Sequence, residues 1–259
     1  TRLDKAEKDA SVKAVLLRVN SPGGSVAASE MMYREIRGFR ERSGKPVVAS
    51  FAEVAASGGY YTSLAADRIV AQPTSVTASI GVIIQTFNFS KGMSMIGIEG
   101  RALVSRPNKD LANPFEPPVE SQFAVLQAMV DEFYTSFSKL VMERRPALAS
   151  STPERQAMAT DGRVVTGVQA LDLGLVDELG GVREAFAAAK KLAGIASARL
   201  VKYHSEGDEP PRSPYASAEG VPHASLGSAG ASGREMNLVQ VNLGDTPMPG
   251  AGFYYLWMP

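Results

Sequence analysis

Val12-Lys13-Ala14-Val15-Leu16-Leu17-Arg18-Val19 runs straight into Asn20-Ser21-Pro22-Gly23-Gly24-Ser25. The first stretch is short, apolar and β-branched, as expected of a buried parallel strand. The second is a turn-forming cluster. From Ala27 to about Arg42, Met32, Ile36 and Phe39 fall at helical spacing, and Gly44-Lys45-Pro46 stops that helix. Val47 to Phe51 then reads as a second buried strand. A strand, a turn, a helix and another strand in this order predict α/β architecture with parallel strands.

Further along, Ser57 to Ala66 reads as a helix and Arg68 to Ala71 as a strand. Ser79 to Phe87 and Ala102-Leu103-Val104-Ser105 are β-rich runs, each expected to form a strand. A long helix is predicted from about Pro118 to Arg144, where Phe123, Leu126, Val130, Phe133, Phe137 and Leu140 recur at steps of three and four. At 1.5 Å per residue it extends roughly 40 Å, enough to cover its own domain or to project toward a neighbouring subunit. A helix over Pro153–Thr160, the segment Gly162 to Gly181 and an amphipathic helix near Arg183–Leu192 complete a domain over residues 1–203.

Residues 204–236 differ in character. Between Gly207 and Gly233, nineteen of 27 residues are Gly, Pro, Ala or Ser, too little apolar surface to order the segment alone, so it is expected to be flexible. Residues 237–259 turn apolar again at Asn237–Val241 and Phe253–Trp257, as a strand or lip docking on a partner or as the stub of a longer chain.

The 259 residues suffice for one sizeable α/β domain with a full core, or for two small ones. With 27 basic and 27 acidic side chains, nothing in the charge balance favours nucleic acid as a partner. The absence of cysteine removes disulfides, thiolate metal sites and cysteine nucleophiles together. No stretch reaches the roughly 18 apolar residues of a membrane span, and no signal-peptide pattern opens the chain. The chain starts with Thr1 rather than Met and reads as a piece of something longer.

In open parallel sheets, working groups gather at the carboxyl ends of strands. Three loops carry useful chemistry there. In Ser21-Pro22-Gly23-Gly24-Ser25, consecutive glycines let backbone N–H groups turn inward, so Gly24 could supply half of an oxyanion hole. The alternative is an ordinary strand-to-helix turn. In Ala55-Ala56-Ser57-Gly58-Gly59, small neighbours leave one serine hydroxyl accessible at a helix start, with the Gly58 N–H as second oxyanion donor. The alternative is that Ser57 simply caps the helix. Both histidines, His204 and His223, lie in or beside the Pro/Gly/Ser-rich tail, so a nucleophilic Ser57 would need a base other than imidazole.

A lysine is the remaining common choice. The third loop, Ser105-Arg106-Pro107-Asn108-Lys109-Asp110, places Lys109 after the expected strand Ala102–Ser105, with Lys91 as second candidate. A lysine base must lose its proton near neutral pH, which takes roughly 4 kcal/mol of environmental bias from burial and hydroxyl partners. The alternative for either lysine is a solvated surface charge. Ser79, in Thr77-Ala78-Ser79-Ile80-Gly81-Val82, could orient such an amine.

Taken together, these loops resemble the signal peptide peptidase A family of serine peptidases, peptidase family S49. The matching pieces are Asn20-Ser21-Pro22-Gly23-Gly24, Ala55-Ala56-Ser57-Gly58-Gly59-Tyr60-Tyr61, Ser79-Ile80-Gly81-Val82, the Lys109 loop, and Gly162-Arg163-Val164-Val165-Thr166-Gly167 with Leu173-Gly174-Leu175-Val176-Asp177. The resemblance covers roughly residues 5–195. It implies a ClpP/crotonase-like parallel-sheet spiral core with a long protruding helix. It also implies Ser57 as nucleophile, Lys109 as general base, Ser79 as its partner, and Gly24 and Gly58 as oxyanion donors.

The same resemblance implies a homo-oligomer, a ring or dome with active sites near subunit contacts, and no metal or organic cofactor. Family members usually carry a membrane anchor before the position where this chain begins, which implies membrane association at the extracytoplasmic face of a bacterial cell. Peptide substrates, remnant signal peptides or membrane-associated segments, are expected to pair with the strand around Ile80, Gly81 and Val82. Arg106-Pro107-Asn108 departs from the family, which carries Gly and Tyr just before the lysine. Two rival readings are a crotonase-like acyl-CoA enzyme and a non-catalytic oligomeric scaffold of the same fold.

Overall fold

The computed structural model describes residues 2–201 and the backbone of residues 254–256. The expected flexible segment 204–236 and most of the apolar segment 237–259 lie outside the described residues. In chain order the elements are α1 (Arg2–Lys8), β1 (Val15–Ser21), β2 (Gly23–Ser25), α2 (Val26–Ser43), β3 (Val47–Ala56), α3 (Gly58–Ser63), β4 (Arg68–Ala71) and β5 (Val76–Ala78). There follow α4 (Ser90–Met95), α5 (Glu120–Arg144), α6 (Pro146–Ala149), α7 (Pro153–Thr160), β6 (Val164–Thr166), α8 (Gly167–Leu173), β7 (Glu178–Leu179), α9 (Val182–Leu192) and β8 (Tyr254–Leu256).

The architecture is mixed α/β around a mainly parallel sheet. β3 is its axis: β1 runs parallel to one side over Val15–Ser21. On the other side β3 pairs first with β4, at Val48 to Phe51, and then with β5, at Val54 to Ala56. β7 extends the sheet beyond β4 in parallel, and β6 joins β5 antiparallel. One long strand therefore serves two successive partners, which brings its carboxyl end beside β5.

Alternation along β3 explains its two-sided burial. Val47, Ala49 and Phe51 enter the main core with α2, α3 and the carboxyl half of α5, while Val48 and Val70 face Ala185, Ala188 and Ala189 of α9. The helices thus cover both faces of the sheet, as a parallel sheet requires. Ser25 caps α2 through its hydroxyl, and Gly44 closes it in the left-handed conformation.

Two expected strands do not form. Residues 79–87 hold only an isolated bridge at Ile83, and Ala102–Ser105 has no regular structure. β-branched composition makes a strand only where a ladder partner exists. Here Ala78 and Ser79 both turn to positive φ, 63° and 53°, which ends β5. The glycine cluster after β1 is itself a short strand, β2, whose one ladder partner among the described residues is β8. No helix of the described residues is long and apolar enough to cross a membrane.

Candidate active site

Ser57 follows the last residue of β3 and precedes α3. Its backbone sits at φ 52° and ψ −115°, close to the first central position of a type II′ turn, which glycine ordinarily fills. Holding a serine there costs about 1–3 kcal/mol and persists only where the surroundings over-determine it. They do. The Ser57 N–H donates to the Ala78 carbonyl at 2.7 Å, and the Ser57 carbonyl accepts from Tyr61 at 2.8 Å. The helix behind it is anchored throughout. Tyr60 is fully buried and its hydroxyl donates to the Leu175 carbonyl at 2.8 Å. Tyr61 packs against Tyr33 and Phe137 with ring centroids 5.7 and 5.0 Å away.

Ser57 is not a helix cap: its side chain makes no capping hydrogen bond to α3. Its Oγ is buried and has no hydrogen-bond partner among the described residues. A buried hydroxyl left unpaired costs about 1–3 kcal/mol. Strain and an orphaned hydroxyl on one residue mark a place shaped for something other than stability.

The glycines explain how the neighbouring loop comes so close. A Cβ at Gly58 would lie 2.4 Å from Ser29 Oγ and 3.1 Å from the Gly24 nitrogen. One at Gly59 would lie 2.9 Å from the Ser21 carbonyl oxygen. Only because both positions lack a side chain can the start of α3 touch the β1–β2 loop. The two expected oxyanion donors, Gly24 and Gly58, are thus neighbours beside Ser57. Ser29, which the sequence did not single out, closes this corner by donating from its hydroxyl to the Ser25 carbonyl at 3.0 Å.

Ser79 is brought to the same place by register. Ala56 pairs with Ala78, so Ser57 and Ser79 leave adjacent strand ends together. The Ser79 N–H donates to the Arg163 carbonyl at 2.8 Å, which ties it to the start of β6. Arg163 in turn grips Asp161, and its guanidinium holds that carboxyl below the usual carboxylate range. Ile80 is wholly buried in the main core, and Gly81 and Val82 are half-buried beside it. The side chain of Ile80 is therefore committed to the core.

Lys109 is not joined to Ser57 within the chain. It is exposed, in the turn-rich stretch after Ser105, and its N–H donates to the Arg106 carbonyl at 3.0 Å. Its ammonium makes no hydrogen bond or ion pair among the described residues. The strand expected to deliver it is absent. Lys91, the second candidate, is also exposed and lies on the short helix α4. The corner thus holds a placed serine, the adjoining backbone of two glycines and a second serine, and no described lysine is hydrogen-bonded to Ser57.

A family model described as peptidase family S49 matches residues 40–196. The chain belongs to peptidase family S49. It is 37% identical over 204 residues to a protein of Methanocaldococcus jannaschii described as a protease, covering 79% of this chain and 64% of that protein. It is 34% identical over 206 residues to one of Enterococcus faecium described as a signal peptide peptidase, covering 80% and 58%. Against Protease 4 of Salmonella typhi it is 37% identical over 208 residues, covering 80% and 32%. The chain thus spans less than two thirds of the length of each of these relatives. Among solved structures, a membrane-bound stomatin-specific protease superposes with TM-score 0.43 at 16% identity, over 71% of this chain and 72% of the other. An enoyl-CoA hydratase/isomerase family protein of Hyphomonas neptunium gives 0.39 at 18%, over 74% and 61%.

Proposed function

We propose that this chain carries the nucleophile-bearing domain of a serine peptidase, in which Ser57 attacks a peptide carbonyl and Lys109 acts as base from a neighbouring copy of the chain. The observation that carries this reading is Ser57 itself: a glycine-like backbone held rigidly, with a buried, unpartnered hydroxyl, beside the backbone of Gly24 and Gly58. Membership of peptidase family S49 supports the same reaction class.

In the proposed mechanism, neutral Lys109 takes the proton from Ser57 Oγ as the oxygen bonds to the scissile carbonyl carbon. The N–H groups of Gly24 and Gly58 receive the developing oxyanion, each worth about 3–4 kcal/mol in comparable sites. The lysine ammonium then protonates the departing amine, leaving an acyl-serine. Water, deprotonated by the lysine, hydrolyses that ester and frees Ser57. Ser79 orients the amine from the adjacent strand end.

The reading takes the base from a second copy because Lys109 is exposed and Ser57 Oγ has no hydrogen-bond partner among the described residues. The stretch bearing Lys109 is also unusually apolar on its surface. Phe87, Phe89, Ile96, Ile98, Leu103 and Phe115 all stand exposed, Leu103 at 92%. Exposed large apolar side chains in this number along one stretch are a common mark of a protein–protein contact. Covering it with a neighbour would desolvate the loop and carry Lys109 toward a partner's Ser57. A ring or dome of such contacts, membrane association at the extracytoplasmic face, and remnant signal peptides or membrane-associated segments as substrates complete the proposal. The test is peptide cleavage by wild type, Ser57→Ala, Lys109→Ala and Lys91→Ala. Activity should vanish in the first two variants and survive in the third; full activity in Lys109→Ala would sink the assignment of the base.

A further inference from the structure

Ser29 lies near the start of α2 and is almost wholly buried, at 5% exposure. Its hydroxyl donates to the Ser25 carbonyl at 3.0 Å. A serine bonding back to the carbonyl four residues earlier is ordinary in a helix and by itself signals nothing. What distinguishes Ser29 is where the same oxygen stands. It is 2.4 Å from the point that a Cβ of Gly58 would occupy, followed there by the Gly24 nitrogen at 3.1 Å and Gly23 Cα at 3.4 Å. One hydroxyl therefore binds the residue after Gly24 and lies against Gly58 at once.

Both contacts border on candidate oxyanion donors. Ser25 ends β2 and caps α2, so holding its carbonyl fixes the chain that leaves Gly24. Gly58 opens α3 directly after Ser57. Neither glycine has a side chain with which to hold its own backbone, and around the Cβ position of Gly24 there is open space. Two facing glycines need a third group to set the distance between them. Oxyanion donors work at about 2.7–3.1 Å from the charged oxygen, so a drift of a few tenths of an ångström in either one is felt.

We propose that Ser29 is a positioning residue for the oxyanion hole: its hydroxyl holds the chain beside Gly24 and keeps Gly58 at a fixed separation from it. This rests on the reading of Ser57 as nucleophile. Ser29 does not touch substrate and acts only through the two glycines. Its effect therefore belongs to the transition state, where charge on the carbonyl oxygen is greatest, and not to peptide binding.

The test compares Ser29→Ala with wild type in peptide cleavage, with active sites counted by fluorophosphonate labelling of Ser57 carried to completion. Alanine is a strong helix former, so α2 is retained. The expected result is a fall of roughly tenfold in kcat per active site with KM unchanged, the pattern of an interaction made only in the transition state. Inhibition by a peptide aldehyde, whose oxygen enters the hole once Ser57 adds to its carbonyl carbon, should weaken by the same factor. A residue that served only the fold would lower the number of active sites and leave kcat per site intact. A double variant checks the contact itself. In Gly58→Ala the new Cβ forces Ser29 off its bond to Ser25. Adding Ser29→Ala should then cost less than it does in wild type, so the two losses should not multiply. Unchanged kcat per site in Ser29→Ala, a change confined to KM, or fully multiplicative losses would overturn the inference while leaving the peptidase reading intact. No labelling of Ser57 in wild type would overturn both.

Discussion

At Ser57 the chain accepts two costs at once, a glycine-like backbone and an unpaired buried hydroxyl. Replacing it separates them. Ser57→Gly removes both and should raise stability by about 1 kcal/mol over wild type, net of the entropy of an added glycine. Ser57→Ala removes only the hydroxyl and keeps the strain, so it should melt below Ser57→Gly; the reverse order in thermal denaturation would show that the backbone is unstrained. Gly59→Ala tests the adjoining contact. Its Cβ would meet the Ser21 carbonyl at 2.9 Å, backbone against backbone, so a loss of about 1–3 kcal/mol is expected. The serine and its glycines stood out in the sequence as candidates, because small residues flank one serine at a strand end, but whether Ser57 capped the helix could be settled only by its missing capping bond. The positive φ was not legible: it follows from how β5 and α3 fix that turn, and no residue type announces it.

Among the elements, α2, α5 and α9 could be read from apolar periodicity and β1, β3 and β4 from short apolar runs, since each buries residues whose pattern is visible in the chain. The runs 79–87 and 102–105 could not be judged, because strand formation depends on a partner and periodicity does not say whether one exists. β2 was hidden for the opposite reason: glycines read as a turn, and its partner lies at the far end of the chain. The late Leu173–Asp177 motif acquires a structural meaning. The Asp177 carboxylate accepts from the Ile69 N–H at 2.7 Å and from Arg145 at 3.1 Å, with Arg145 almost wholly buried. Arg145→Ala leaves the carboxylate its Ile69 N–H alone and removes the donor to the Gly174 carbonyl, and because Asp177 is itself exposed a loss of only about 1–3 kcal/mol in denaturant unfolding is expected.

The buried tyrosines of α3 give this element a pH signature. Burial pushes the Tyr61 hydroxyl up to about 12 and Tyr60 higher still. In the unfolded chain a tyrosine titrates near pH 10. Above that pH the unfolded state sheds protons that the folded state keeps, so stability is full below about pH 10 and falls as pH rises beyond it. Tyr60→Phe should delay that alkaline loss, at the cost of the hydrogen bond to Leu175; an unchanged alkaline midpoint would contradict the burial of its hydroxyl.

At the scale of the molecule, the serine corner lies within one compact domain, whereas the lysine and the apolar surface around it point outward. Sequence motifs could name both residues of the proposed dyad but not say whether they meet in one chain, since motif order carries no information about subunit boundaries. Light scattering should therefore find an oligomer, and Phe89→Asp with Leu103→Asp should dissociate it and abolish cleavage together. Ser57→Ala and Lys109→Ala chains, each inactive, should regain activity when co-expressed and purified as mixed oligomers. No recovery in verified mixed oligomers would place both residues in one subunit.

Ser57 is proposed to be a nucleophile activated by Lys109. Mass-spectrometric mapping of a fluorophosphonate adduct on the oligomer tests it most directly. The predicted result is a single adduct on the peptide containing Ser57, formed in wild type and lost in folded, oligomeric Lys109→Ala. An adduct elsewhere, or labelling of Ser57 at the wild-type rate in Lys109→Ala, would contradict it.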